Sequence, residues 1–125
     1  MSILLALALQ LSPVASADFQ ARISQAKREE GADAGPAYQK QMWGRIGNST
    51  TDAYRSCLAS NTPADKTPFS MVADVLADGR LSHIAVSPET DVAKCMVGQF
   101  SRWTLPTPPA KPAPYPVEID FSIKP

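Results

Sequence analysis

The segment from Phe69 to Pro106 constrains the fold more than any other part of this chain. Phe69 to Leu76 alternates apolar and polar residues, which predicts a strand with one face toward a core. Ala77-Asp78-Gly79-Arg80 follows, and aspartate and glycine favour a tight reversal of the chain. Leu81 to Val86 then predicts a second strand, antiparallel to the first.

A helix is predicted directly after this hairpin. Ser87 supplies a capping hydroxyl, and Pro88 suits the first helical position. The apolar residues that follow recur at helical spacing and share one face: Val92, Cys95, Met96, Phe100 and Trp103.

The last strand has the clearest alternation in the chain. Six prolines between Pro106 and Pro116 predict an extended, stiff connection that leads into it. The apolar residues of the strand are Tyr115, Val117, Ile119, Phe121 and Ile123, and they alternate with Glu118, Asp120 and Ser122. This period of two predicts a strand with one solvated face, on which Glu118 and Asp120 would lie.

Helices are predicted before the hairpin. Asp18 to Glu30 forms a short one ending near Gly31, with a narrow apolar stripe. A second begins at Pro36 and stops at Gly47. The N-cap candidates Asn48, Ser49 and Thr50 then open a third, which Asn61 ends in the left-handed conformation before Pro63.

The first seventeen residues predict a secretory signal peptide. Ile3 to Leu9 is an apolar run too short to span a membrane, and Ala15-Ser16-Ala17 is a cleavage signal. We therefore expect a periplasmic or secreted protein without membrane insertion after cleavage. The predicted organisation is a signal peptide at residues 1–17, a helical extension at 18–47 and a domain at 48–125.

Only two cysteines remain in this exported chain, Cys57 and Cys95. An oxidising compartment favours a disulfide between them over two buried free thiols. In the chain-entropy model, closing a loop of this length contributes about 4 kcal/mol of stability. Both cysteines lie on the apolar faces of their predicted helices, so two helices on one side of a sheet would bring them together.

From Asn48 onward, this order of helix, strand, strand, helix and strand resembles the C-terminal domain of TonB-type energy transducers. The resemblance rests on the hairpin with its Ala77-Asp78-Gly79-Arg80 turn, the helix bearing Cys95, the Arg102-Trp103 exit and the alternating last strand. It implies an α+β fold, with a three-stranded antiparallel sheet and two helices on one face, plus the N-terminal helices. Cys57 and Cys95 match a helix-to-helix pair found in some of these relatives.

The resemblance also implies a mode of binding. In this family, a partner peptide adds as a strand to an exposed edge of the sheet. The edge candidate in this chain comprises Val117, Glu118, Ile119, Asp120, Phe121, Ser122 and Ile123. The alternation of the same residues equally suits an ordinary half-buried strand. Energy transduction is not implied, because a leader replaces the transmembrane helix of TonB proteins.

Composition and motifs favour a binding protein over an enzyme. The chain has 12 basic and 12 acidic residues, a balance that argues against nucleic acid as a partner. No phosphate-binding loop, metal motif or nucleophile motif is present, so we expect no cofactor, metal or catalytic residue. The leading hypothesis is a non-enzymatic periplasmic protein-interaction module. The alternatives are an inhibitor or immunity protein against a secreted enzyme and, less favoured, a hydrolase using the only histidine, His83.

Overall fold

The computed structural model describes residues 16–123, so the predicted signal peptide lies almost entirely outside the described residues. The helices are α1 (Ala17–Gly31), α2 (Gly35–Ser60) and α3 (Asp91–Phe100), and the strands are β1 (Phe69–Val75), β2 (Leu81–Ser87) and β3 (Tyr115–Phe121). The strands form one antiparallel sheet in the order β2-β1-β3. The predicted α+β class and the order helix, strand, strand, helix, strand are confirmed.

The main core lies between one face of the sheet, here called the front face, and the helices α2 and α3. The front face carries the apolar side chains that alternation predicted, and those within β1 and β3 are all buried. Ile123, predicted to belong to the last strand, lies beyond the end of β3 and is exposed. Phe121 packs against Phe69 of β1 and Phe100 of α3, with ring centroids 4.8 Å and 6.3 Å away. The predicted disulfide joins α2 to α3, because Cys57 and Cys95 are bonded and their Cα atoms are 5.8 Å apart.

Helix α2 corrects the prediction of two separate helices in this region. It runs unbroken through Gly47 and the predicted caps at Asn48 to Thr50, over 26 residues. A Cβ atom at Gly47 would meet nothing within 4 Å, and the helix bounds place this glycine in the interior of α2. Packing outweighs the weak helix propensity of glycine because one buried stripe continues in phase across it: Tyr38, Met42, Ile46, Thr50, Ala53 and Cys57.

The ends of the helices also differ from prediction. Asn61 ends α2 but with φ −120°, outside the left-handed region. Its side-chain amide instead donates to the Cys57 carbonyl at 2.7 Å, which satisfies a free helix-end acceptor. Helix α3 begins at Asp91, and the hydroxyl of Thr90 caps it by accepting from the Ala93 N–H at 3.1 Å. Ser87, the predicted cap, belongs to β2.

The hairpin turn requires its glycine. Gly79 has φ +89°, and a Cβ atom there would collide with the carbonyl oxygen of Leu105. The Leu105 N–H donates to the Gly79 carbonyl at 2.8 Å, so the segment leaving α3 is tied to the turn.

Helix α1 covers the opposite face of the sheet, here called the back face. Its buried residues, Phe19 and Ala26, and the back-face Val72 of β1 lie outside the main core cluster. Helix α1 contacts β3 and β1 and is joined to α2 by residues 32–34. The predicted boundary between extension and domain, at Gly47, falls inside α2, and residues on both sides of it belong to the main core.

Candidate partner-binding edge

Strand β3 forms one edge of the sheet and β2 forms the other. Every residue of β3 except Asp120 is buried, whereas Val86 is the only buried residue of β2. The two edges therefore differ in how far neighbouring elements cover them. The candidate edge residues Val117 to Phe121 lie in β3, and Ser122 and Ile123 continue beyond it as exposed residues.

The start of β3 is enclosed by the connection between α1 and α2. Because these helices lie on opposite faces, the residues joining them must pass around an edge of the sheet. Tyr115 contacts both helices at this edge. Its hydroxyl donates to the Glu29 carbonyl of α1 at 3.4 Å, and its ring packs edge-on against Tyr38 of α2 with the ring centroids 5.3 Å apart. A partner strand therefore cannot pair with β3 at Tyr115 unless this connection moves.

The end of β3 is open. Its ladder with β1 closes at the pair Phe69 and Phe121, so the chain beyond Phe121 has no strand beside it in the described residues. Ile123 is 39% exposed and is one of the two large hydrophobic residues on the described surface that are exposed. Tyr54 of α2 supports this end from inside, with its ring 5.5 Å from that of Phe121. The end of β3 thus offers unpaired backbone next to packed aromatic rings.

The β2 edge is protected in a different way. The register between β1 and β2 shifts next to His83, which adopts φ +50°. Such a bulge bends an edge strand and interrupts its row of hydrogen-bonding groups. Arg22 of α1 also donates to the His83 carbonyl, at 2.7 Å. We therefore regard β2 as a poorer template for strand addition than the end of β3.

The back face is polar and charged around Glu118. The prediction that Glu118 and Asp120 share a solvated face is wrong for Glu118, because α1 covers it and leaves its side chain only 6% exposed. Lys27 of α1 lies 3.1 Å from Glu118 Oε1 and 3.4 Å from Asp120 Oδ2. The hydroxyl of Ser70 donates to the other oxygen of Asp120 at 2.6 Å.

These contacts shift the pKa values of all three charged groups. Burial raises the pKa of Glu118 to about 7, because the ionised form loses its hydration. Burial would also raise the pKa of Asp120, but the Ser70 hydrogen bond and Lys27 outweigh it and hold that pKa below its ordinary value. The hydrogen bond to Glu118 raises the pKa of Lys27 above 10.5.

His83 lies in a smaller charged cluster on the same face. Its Nδ1 is 3.4 Å from Asp74 Oδ2 and 3.4 Å from the hydroxyl of Ser82. A Ser-His-Asp relay needs the serine and the aspartate on opposite ring nitrogens, whereas here both approach the same one. The imidazole is 79% exposed, which leaves it in contact with solvent.

Three functional features of this region were not predicted from the sequence. They are the burial of Glu118, its pairing with Lys27 and the bulge at His83. Nothing in the spacing of Lys27 and Glu30 shows that α1 packs on a strand. A positive φ at a histidine has no sequence signal comparable to the glycine of the hairpin turn.

Comparisons with protein-family models, with curated proteins and with solved structures gave no match to this chain. Among residues 16–123, no helix is long and apolar enough to cross a membrane. The same residues contain no group of three or more histidine, cysteine, aspartate or glutamate side chains placed to hold a metal ion.

Proposed function

We propose that this chain is a non-enzymatic interaction module of the cell envelope. It would resemble the TonB C-terminal domain and bind an extended segment of a partner protein by strand addition. The observation that carries the proposal is the end of β3: an edge strand whose chain continues, unpaired and exposed, past Phe121 to Ile123. Backbone hydrogen bonds would supply affinity there, and alternate side chains would supply selectivity.

The contacts around this edge support strand addition at the end of β3. The enclosed start at Tyr115 favours pairing farther along β3, and the aromatic rings packed behind Phe121 would restrain the strand end. A rigid template lowers the ordering cost of binding an extended peptide. We place the partner strand along Ile119 to Ile123.

An exported location supports an envelope partner. The disulfide between Cys57 and Cys95 is compatible with an oxidising compartment, which suits a periplasmic or secreted protein. The leader predicted at residues 1–17 would direct the chain there, with Asp18 as the first residue after cleavage.

The test is capture of a partner from an envelope fraction by the chain beginning at Asp18, followed by affinity measurement with two variants. Ile123→Ser removes an exposed apolar side chain at the open end of β3. Trp43→Ser removes the other exposed large hydrophobic residue, 38% exposed on α2 and about 16 Å along the helix from Tyr54. We expect Ile123→Ser to weaken binding by about tenfold, as loss of a buried isoleucine contact would.

The outcomes separate the hypotheses. Loss of affinity only in Ile123→Ser supports binding at the end of β3, and loss only in Trp43→Ser contradicts it. Absence of any saturable partner would reject the interaction module itself. Capture of a secreted enzyme whose activity falls on binding would instead support the alternative role of inhibitor or immunity protein.

A further inference from the structure

Glu118 is the one charged residue that is buried in the described chain. Its Oε1 atom lies 3.1 Å from the ammonium group of Lys27. Its Oε2 atom is buried and has no hydrogen-bond partner among the described residues. A buried oxygen without a partner is costly, and the cost is larger when it carries charge. Ionised Glu118 is therefore only half satisfied where it lies.

The charges around Glu118 do not balance when every carboxyl group is ionised. Helix α1 presents Lys27 and also Glu30, whose hydrogen bond and negative charge add to burial in raising the pKa of Glu118. On its own strand, Asp120 shares the same lysine at 3.4 Å. Two carboxylates, Glu118 and Asp120, therefore share one ammonium group, and like charges this close resist joint ionisation.

Strand β1 supplies no further positive charge or hydrogen-bond donor to Glu118. On its back face, Ser70 donates to Asp120 and leaves Glu118 without that hydrogen bond. Asp74 is occupied by Arg22, 3.6 Å away, and by His83, 3.4 Å away. A proton is thus the available means of satisfying Glu118 Oε2.

We propose that protonation of Glu118 controls how tightly α1 docks, which makes α1 a pH-dependent cover on the back face of the sheet. The protonated carboxyl would donate from Oε2 to Glu30 while its other oxygen keeps the hydrogen bond from Lys27. Ionisation removes that donor and adds a further negative charge beneath α1. The proposal is independent of whether the end of β3 binds a partner.

The direction of the effect follows from the pKa of Glu118. Burial beneath the docked α1 raises that pKa from its ordinary value of 4.5 to about 7, so the docked state holds the proton more tightly than a state in which this carboxyl group is solvated. The stabilisation is therefore complete below pH 4.5 and is lost as the pH rises through about 7. Lys27 stays charged throughout this range, because its pKa is raised above 10.5.

The chain around α1 is suited to local release. Only residues 32–34 connect α1 to α2, and the disulfide ties α2 to α3, so the front face can stay intact when α1 leaves. The buried apolar contacts of α1 are few, with Phe19 and Ala26 as its buried residues. Segments with few buried apolar contacts open at lower free energy than the rest of a fold.

The test measures hydrogen-exchange protection of α1 amides at pH 6 and at pH 8.5, expressed as protection factors that correct for intrinsic exchange. We expect the protection of α1 to fall by about tenfold between these values, the change that linkage gives for this pKa shift. In Glu118→Gln the group cannot ionise, so the fall should disappear. The matched control is Glu89→Gln, at an exposed residue before α3, which should keep the tenfold fall.

Equal protection of α1 at both pH values would overturn the proposal, and so would a tenfold fall that persists in Glu118→Gln. If Glu118→Gln does not fold, Glu30→Gln tests instead whether ionisation of Glu118 controls the docking of α1. Removing this neighbouring charge should move the midpoint of the α1 transition to lower pH. A midpoint that does not move would contradict the proposed interaction.

Discussion

The two faces of the sheet hold their helices by different chemistry. On the front face, α2 and α3 are packed through a continuous apolar core and linked by the Cys57–Cys95 disulfide. On the back face, α1 has two buried residues of its own, and its long-range ion pairs run through Arg22 and Lys27. Apolar burial does not change with pH, whereas ion pairs with a buried carboxyl group do. The front face is therefore a permanent scaffold, and the back face is the part that conditions can alter.

Matched phenylalanine truncations should give the largest difference in stability between the two faces. Phe100 is 1% exposed in the front-face core, so Phe100→Ala should lower the free energy of unfolding by about 3–5 kcal/mol. Phe19→Ala, at a residue 8% exposed on α1 and outside that core, should cost less than about 3 kcal/mol because the front face survives. Urea unfolding followed by far-UV circular dichroism measures both values. Equal losses would mean that the two faces form one core.

Two lysine substitutions test the role of charge in holding α1 on the sheet. Lys27→Gln removes the partner of buried Glu118 and should destabilise α1 docking by about 1–3 kcal/mol at pH 8.5. The loss should be smaller at pH 5.5, because Glu118 is protonated there. Lys94→Gln removes an exposed pair with Asp91, 3.5 Å apart on α3, and should change stability by less than about 0.5 kcal/mol at either pH. Urea unfolding at both pH values gives the comparison. Identical, pH-independent effects of the two substitutions would contradict a special role for Lys27.

A glycine substitution tests the continuity of the front-face helix. Gly47 lies inside α2 with open space around it, so Gly47→Ala should raise stability by about 1 kcal/mol through helix propensity alone. If α2 were instead two helices divided at Gly47, a left-handed glycine would be needed there and alanine would destabilise the chain. The sign of the change in thermal midpoint therefore decides between one helix and two.

The sequence predicted the front face better than the back face. Alternation in β1 and β3 and the apolar spacing of Phe100 and Cys95 report burial directly, because a core requires a periodic apolar stripe. The continuity of α2 was missed, although the stripe from Tyr38 to Cys57 stays in phase across Gly47. Propensity favoured a stop at Gly47, and tertiary packing overrode it.

The packing of α1 on the back face could not be predicted from the sequence, for a physical reason. A helix that docks through charges and a few small or apolar residues has the composition of a solvated helix, so α1 gave no sign of covering a strand. Glu118 alternates with apolar neighbours as any outward-facing residue would, and only the position of α1 buries it. The candidate edge was identified as a strand from its alternation, but its enclosed start and open end depend on the path between α1 and α2.

The most direct test of the contrast between the faces is the titration of the Glu118 side-chain carboxyl carbon by NMR, with α1 amide shifts followed in the same samples. We predict a midpoint near pH 7 for Glu118, accompanied by shifts in α1 amides and by little change in α2. A midpoint near 4.5, or a titration near 7 that leaves the α1 amides unmoved, would contradict the account of a back face held by a titratable group.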